Sequence, residues 1–118
     1  MTASYKQLVA DIGGKLKEMN KELPETMQGF QQMAKPSHSD GALSAKTKEL
    51  IATAIGIAAR CQGCLGFHAQ ACVRMGVTRK EFEEMMQVAM YMGGGPSVMT
   101  AAEALQAYEE FGGEKAAS

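Results

Sequence analysis

From Tyr5 onward, the apolar residues of this chain recur at intervals of three and four. Tyr5, Leu8, Val9, Ile12, Leu16 and Met19 share one helix face, while Lys6, Asp11, Lys15, Lys17 and Glu18 lie elsewhere around it. Such spacing cannot gather the same residues on one face of a strand, where the period is two. Pro24 suits a first helical turn, and Met27, Phe30 and Met33 continue a short second helix. "KPSHSDGALS" then brings Pro36, Asp40 and Gly41 together as a loop, and Ser44 is placed to cap a third helix. That helix, "AKTKELIATAIGIAAR", is polar only in its first turns, as expected at the centre of a bundle or an assembly.

A fourth helix is predicted from near Cys61 to Gly76, where glycine tolerates the left-handed closing turn. "TRKE" follows as a capping box, with Thr78 and Glu81 satisfying each other's backbone donors, and opens a fifth helix to about Met92. "GGGP" interrupts, and Pro96 starts a sixth helix carrying Met99, Ala102, Leu105, Ala107, Tyr108 and Phe111 up to a Gly112-Gly113 stop. "EKAAS" is expected to fray. The fold class is therefore all-α, one domain over 1–118 of about six helices, with connections short enough for antiparallel packing.

At 118 residues the chain can bury one core. Lys+Arg 12 against Asp+Glu 13 gives a net charge of -1, so no long-range field draws in a phosphate backbone or an anionic membrane. Neither nucleic acid nor membrane is an expected partner. The N-terminal stretch lacks the uninterrupted apolar core of a signal peptide, and the expected location is the cytoplasm. Gly93 to Gly95 read as a turn, since they lack the lysine and preceding strand of a phosphate-binding loop.

All three cysteines and one of two histidines fall in "RCQGCLGFHAQAC". An odd, clustered set is not a secreted disulfide scaffold; in a reducing compartment it suggests redox or metal chemistry. Helical spacing makes Cys61 and Cys64 neighbours about 5 Å apart at Cα, within disulfide reach, and places His68 one turn beyond Cys64. A cysteine at a helix start feels unpaired backbone donors that favour its thiolate, while the histidine can take a thiol proton.

Zinc is a competing reading. Cys61, Cys64 and His68 are suitable ligands with a fourth from His38 or water, but Cys64 and Cys72 stand about 12 Å apart along a helix, too far to share one ion. For Cys72 simple packing is expected, as a small buried apolar residue. His38 reads as a solvated loop residue. Glu49 complements the helix dipole in the first turns of the third helix, and the burial of that helix should partly desolvate it.

Together "ELIATAIGIAARCQGCLGFH" presents a glutamate, eleven intervening residues, C-x-x-C and a histidine four residues on. This resembles the AhpD-like branch of the carboxymuconolactone decarboxylase family, over roughly Leu23 to Phe111. The resemblance implies an all-helical thiol peroxidase that reduces hydroperoxides. Cys64 would be the attacking thiol, Cys61 the resolving one, and Glu49 with His68 a proton relay. It implies no cofactor or metal, an external dithiol reductant such as a lipoyl group, and a homo-oligomer, commonly a trimer or hexamer. The helix-end argument favours Cys61 as the attacking thiol, whereas the family pattern and the adjacency of His68 favour Cys64, which we adopt. The sequence departs from AhpD at Gln62-Gly63, where AhpD often carries a second histidine, so one relay member is missing. Decarboxylation does not depend on a cysteine pair and is not carried over. A zinc-binding module and a non-catalytic dithiol sensor are the alternatives.

Self-association has separate grounds. The all-round apolar third helix and "MMQVAMYM" offer more apolar surface than one small domain covers, and ten methionines suit adaptable packing.

Overall fold

A computed structural model describes residues 4–117. The helices are α1 (Tyr5–Glu22), α2 (Pro24–Ala34), α3 (Ala45–Ala58), α4 (Gln62–Arg74), α5 (Arg79–Gly93) and α6 (Gly95–Glu110), with one 3-10 turn at Lys35–His38. Among the described residues there is no strand, as the spacing predicts. The caps at Ser44, Thr78 and Gly76 are those read from the sequence, and Ser4 adds one at the start of α1. Ser44 Oγ accepts Thr47 N–H at 3.0 Å, and Thr78 and Glu81 form the reciprocal box that starts α5. Gly76 closes α4 at φ 77°.

Helices α3 to α6 make the bundle. α3 packs on α4 and α5, and α6 packs across α4, α5 and α3. Ile57, Leu65, Ala69, Cys72, Phe82 and Tyr108 are sealed in its core, with Phe82 and Tyr108 stacked at 4.6 Å between ring centroids. Such a pair adds about 0.5–1.5 kcal/mol beyond its burial. Tyr108 Oη also donates to Val77 O at 2.7 Å, tying the loop before α5 to α6.

On α6 the core takes Ala107 and Tyr108, as expected, with Leu105 and the C-cap residue Phe111 partly buried against it. Met99 and Ala102, also expected inward, are exposed, and Ser97, Ala101 and Ala104 face the core instead. Small side chains let neighbouring helix axes approach, so the bundle selects the alanine stripe rather than the largest residues. Glu114 also departs from the expected frayed tail. Its backbone carbonyl accepts from Arg79 Nη1 at 3.0 Å, its carboxylate from Arg79 N at 2.6 Å, and its N–H reaches Tyr108 Oη. Ser118 and residues 1–3, within the expected domain span 1–118, lie outside the described residues.

α1 lies along α4 and α6. Glu110 of α6 accepts the backbone N–H of Tyr5 at 2.8 Å and of Lys6 at 3.2 Å, satisfying donors that the first turn of α1 leaves open. Burial alone would raise the Glu110 carboxyl, but bonds from Gln106 and from those backbone donors outweigh it and hold the group below its usual range. Gly63 and Gly66 let α1 come close, since a Cβ on Gly66 would stand 2.7 Å from Val9 Cγ2. The stripe of α1 is covered only in part, for Tyr5 is buried but Met19 is exposed. α2 packs only on α1 and the 3-10 turn and buries no residue, so it stands off the bundle as an arm. The radius of gyration, 14.5 Å, accordingly exceeds the roughly 13.5 Å of a compact chain of this length.

Candidate active site at the start of α4

The end of α3 determines where the cysteines sit. Cys61 N–H bonds to Gly56 O and Arg60 N–H to Ile57 O, both at 3.1 Å, which is the paired closure of a Schellman turn. Arg60 occupies the left-handed position at φ 56°, where glycine is the usual residue. The chain then turns directly into α4 with Cys61 as its N-cap. Cys61 Sγ accepts Cys64 N–H at 3.2 Å, so a sulfur does what a serine hydroxyl does at most N-termini.

Cys61 and Cys64 form a disulfide with their Cα atoms 5.1 Å apart. Both residues are half-buried. On α3, Glu49 is only 6% exposed. Its Oε1 lies 2.7 Å from His68 Nδ1, and the imidazole itself is 31% exposed. A carboxylate only accepts, so Nδ1 carries the proton of this bond and the other ring nitrogen, Nε2, points away from it. The four residues singled out from the sequence are thus held by two adjoining helices, with Glu49 desolvated as expected. The contact made by His68 is with Glu49, while Cys64 Sγ is engaged by Cys61.

Cys72 is a packing residue, as expected. It is fully buried with Sγ 3.4 Å from Thr53 Oγ1, and that hydroxyl spends its proton on Glu49 O at 2.8 Å. Cys72 must therefore be the donor, which requires the thiol form. Burial pushes its pKa up to about 11, and the Glu49 charge adds to the rise. His38 is exposed on the 3-10 turn, and among the described residues no three histidine, cysteine or acidic side chains are grouped to hold a metal ion.

Two residues here escaped the sequence reading. Thr53 and Gly56 follow Glu49 at intervals of four and three, so the three share one face of α3. A signal was present, since polar and small residues interrupt an otherwise apolar helix along a single stripe. That stripe is what α4 packs against.

The chain matches the model of the Carboxymuconolactone decarboxylase family over residues 24–107. The chain belongs to the carboxymuconolactone decarboxylase family. A solved structure from Legionella pneumophila, apo-lpg0406, a carboxymuconolactone decarboxylase family protein, superposes with a TM-score of 0.89 at 50% sequence identity, covering 91% of this chain and 96% of that one. Among curated relatives, an uncharacterized protein of Cupriavidus necator is 33% identical over 109 residues, 92% of this chain and 96% of its own length. "Uncharacterized protein 4 in cox locus" of Paracoccus denitrificans is 33% identical over 84 residues, 71% of this chain and 76% of its own. The family includes both decarboxylases and AhpD-like peroxidases, and the choice between them falls to the site.

Proposed function

We propose that this protein is an AhpD-like thiol peroxidase that reduces hydroperoxides through its Cys61–Cys64 couple. The observation carrying this reading is the disulfide at the first turn of α4, with a desolvated Glu49 holding His68 at 2.7 Å beside it. In the reduced enzyme His68 Nε2 takes the Cys64 proton while Glu49 stabilises the resulting imidazolium. The thiolate attacks the peroxide O–O bond, leaving a sulfenic acid and, once the proton is returned, an alcohol. Cys61 thiol then condenses with the sulfenic acid, forming the disulfide and releasing water.

An external dithiol, such as a lipoyl-type carrier, restores both thiols at the cost of its own oxidation. The bond from Cys64 N–H to Cys61 Sγ supports the division of labour between the sulfurs. As the disulfide opens, that donor would stabilise the departing Cys61 thiolate, making Cys61 the better leaving group when the incoming reductant attacks Cys64. This cycle needs a compartment that supplies reducing dithiols, and we place it in the cytoplasm.

The active form in this reading is a homo-oligomer, a trimer or hexamer. Ile55 on α3 is 63% exposed and Tyr91 on α5 is 85% exposed, beside exposed Ile51, Val88 and Met92. Between α3 and α5 runs a groove of about 370 Å³ floored by Leu50, Ala54 and Met85. Further copies of the chain would cover this surface.

The test is hydroperoxide consumption by the native protein with a dithiol reductant, against Cys64→Ser and Cys61→Ser. Loss of turnover in both, with a sulfenic acid trapped in Cys61→Ser, is the expected result. Undiminished turnover in Cys64→Ser would discard the mechanism. A native protein that forms its disulfide but completes a single turnover would instead be a sensor.

A further inference from the structure

Gly56 touches both halves of the dithiol. Its carbonyl accepts Cys61 N–H at 3.1 Å, and a Cβ placed on it would stand 3.1 Å from Cys64 Cβ. Gly56 is buried and its φ is not positive, so its backbone asks for no special conformation. What it provides is space. We infer that Gly56 is the positioning residue of the Cys61–Cys64 couple, setting the balance between dithiol and disulfide by fixing both cysteines from one point on α3.

Cys64 Cβ cannot swing aside as the tip of a long side chain would, because it moves only with the α4 backbone. In the disulfide state that movement is restrained twice. Cys61 is held to Gly56 O, and Cys64 is bonded to Cys61, closing a ring through the contact itself. In the dithiol state the sulfur link is open, and the first turn of α4 can move away from α3 with Cys61 left in place. A side chain at 56 therefore burdens the disulfide more than the dithiol. Gly63, between the two cysteines, provides an internal control. Its Cβ would meet Ile12 Cδ1 at 3.0 Å, the movable end of a flexible side chain on α1.

The inference rests on the proposed cycle only in requiring that the couple opens and closes; the identity of the oxidant does not enter. The experiment is equilibration of the native protein, Gly56→Ala and Gly63→Ala with mixtures of reduced and oxidised glutathione, without peroxide, counting Cys61–Cys64 disulfide after acid quenching. In this exchange the two protein thiols give two electrons and two protons to glutathione disulfide, yielding two glutathione thiols. Gly56→Ala should shift the equilibrium toward the dithiol by about tenfold, which is about 30 mV for a two-electron couple. Gly63→Ala should stay within about twofold of native. Thermal unfolding of each variant, oxidised and reduced, accompanies the titration, and Gly56→Ala should lose more Tm when oxidised. A variant that folds only when reduced would be the extreme form of the same result. An unchanged midpoint with equal loss of Tm in both states, a shift toward the disulfide, or failure to fold in both states would make Gly56 a packing residue and overturn the inference. A failure of peroxidase activity in the native protein leaves all of these readouts intact.

Discussion

Glu49→Gln tests whether the buried carboxylate does more than orient His68. Glutamine keeps an oxygen that can accept Nδ1–H at the position where Oε1 now stands 2.7 Å away, but removes the charge. Hydrogen bonds to charged groups are worth about 1.5–3 kcal/mol. Glu49 is nearly sealed from water, so in the proposed relay little screening would weaken the carboxylate's support for a His68 imidazolium. Taking about 2–3 kcal/mol as the share lost in the transition state, the rate of disulfide formation should fall by about 30- to 150-fold. The assay is single turnover, in which fully reduced protein is mixed with a hydroperoxide at pH 7, quenched in acid, and remaining thiols are counted against time. Glu49→Ala should be slower still, since the imidazole also loses its orientation, and should unfold more easily by about 1–3 kcal/mol. A Glu49→Gln rate within about threefold of native, with the disulfide still forming, would refute the relay.

Cys72, at about 11 against an ordinary 9.0, is two units high, so at pH 8 it should carry about a hundredfold less thiolate than an ordinary cysteine. Brief alkylation of the reduced protein should therefore modify two thiols and leave Cys72 until the chain is unfolded; three labelled at equal rates would contradict its burial. For stability, the folded state holds the Cys72 proton more tightly than the unfolded state does. Its contribution is complete below pH 9 and is lost as pH rises through about 11, so denaturant midpoints should fall over that window. The phenols of Tyr5 and Tyr108, pushed up chiefly by burial, act in the same direction at higher pH. Tyr108→Phe should cost about 1–3 kcal/mol in urea unfolding, because Val77 O loses its buried donor; a neutral result would mean that water replaces it. Arg60→Gly should stabilise the fold by about 1 kcal/mol by relieving the left-handed residue before Cys61, and a destabilised variant would show that the arginine side chain compensates for its backbone.

Local periodicity and caps determined the helices here. Ser44, the Thr78–Glu81 box, Gly76 and Pro96 act within a few residues, so their effects can be read without knowing the fold. The pairing of Cys61 with Cys64 is legible for the same reason, since one turn of helix brings the sulfurs together. The spacing of Glu49 from C-x-x-C marked a family pattern, but the 2.7 Å contact with His68 comes from the packing of α3 on α4.

The inward placing of Ser97, Ala101 and Ala104 on α6, the Arg79–Glu114 clamp and the roles of Thr53 and Gly56 are likewise tertiary. Sequence spacing shows which residues share a face but not which face its neighbours will cover. That depends on how closely two helix axes approach, and where they come nearest an alanine or glycine can matter more than a methionine. The sequence alone determined six helices and a dithiol on one of them. Only the tertiary structure decided what lies against the sulfurs, because contacts between helices depend on shapes that meet across space rather than along the chain.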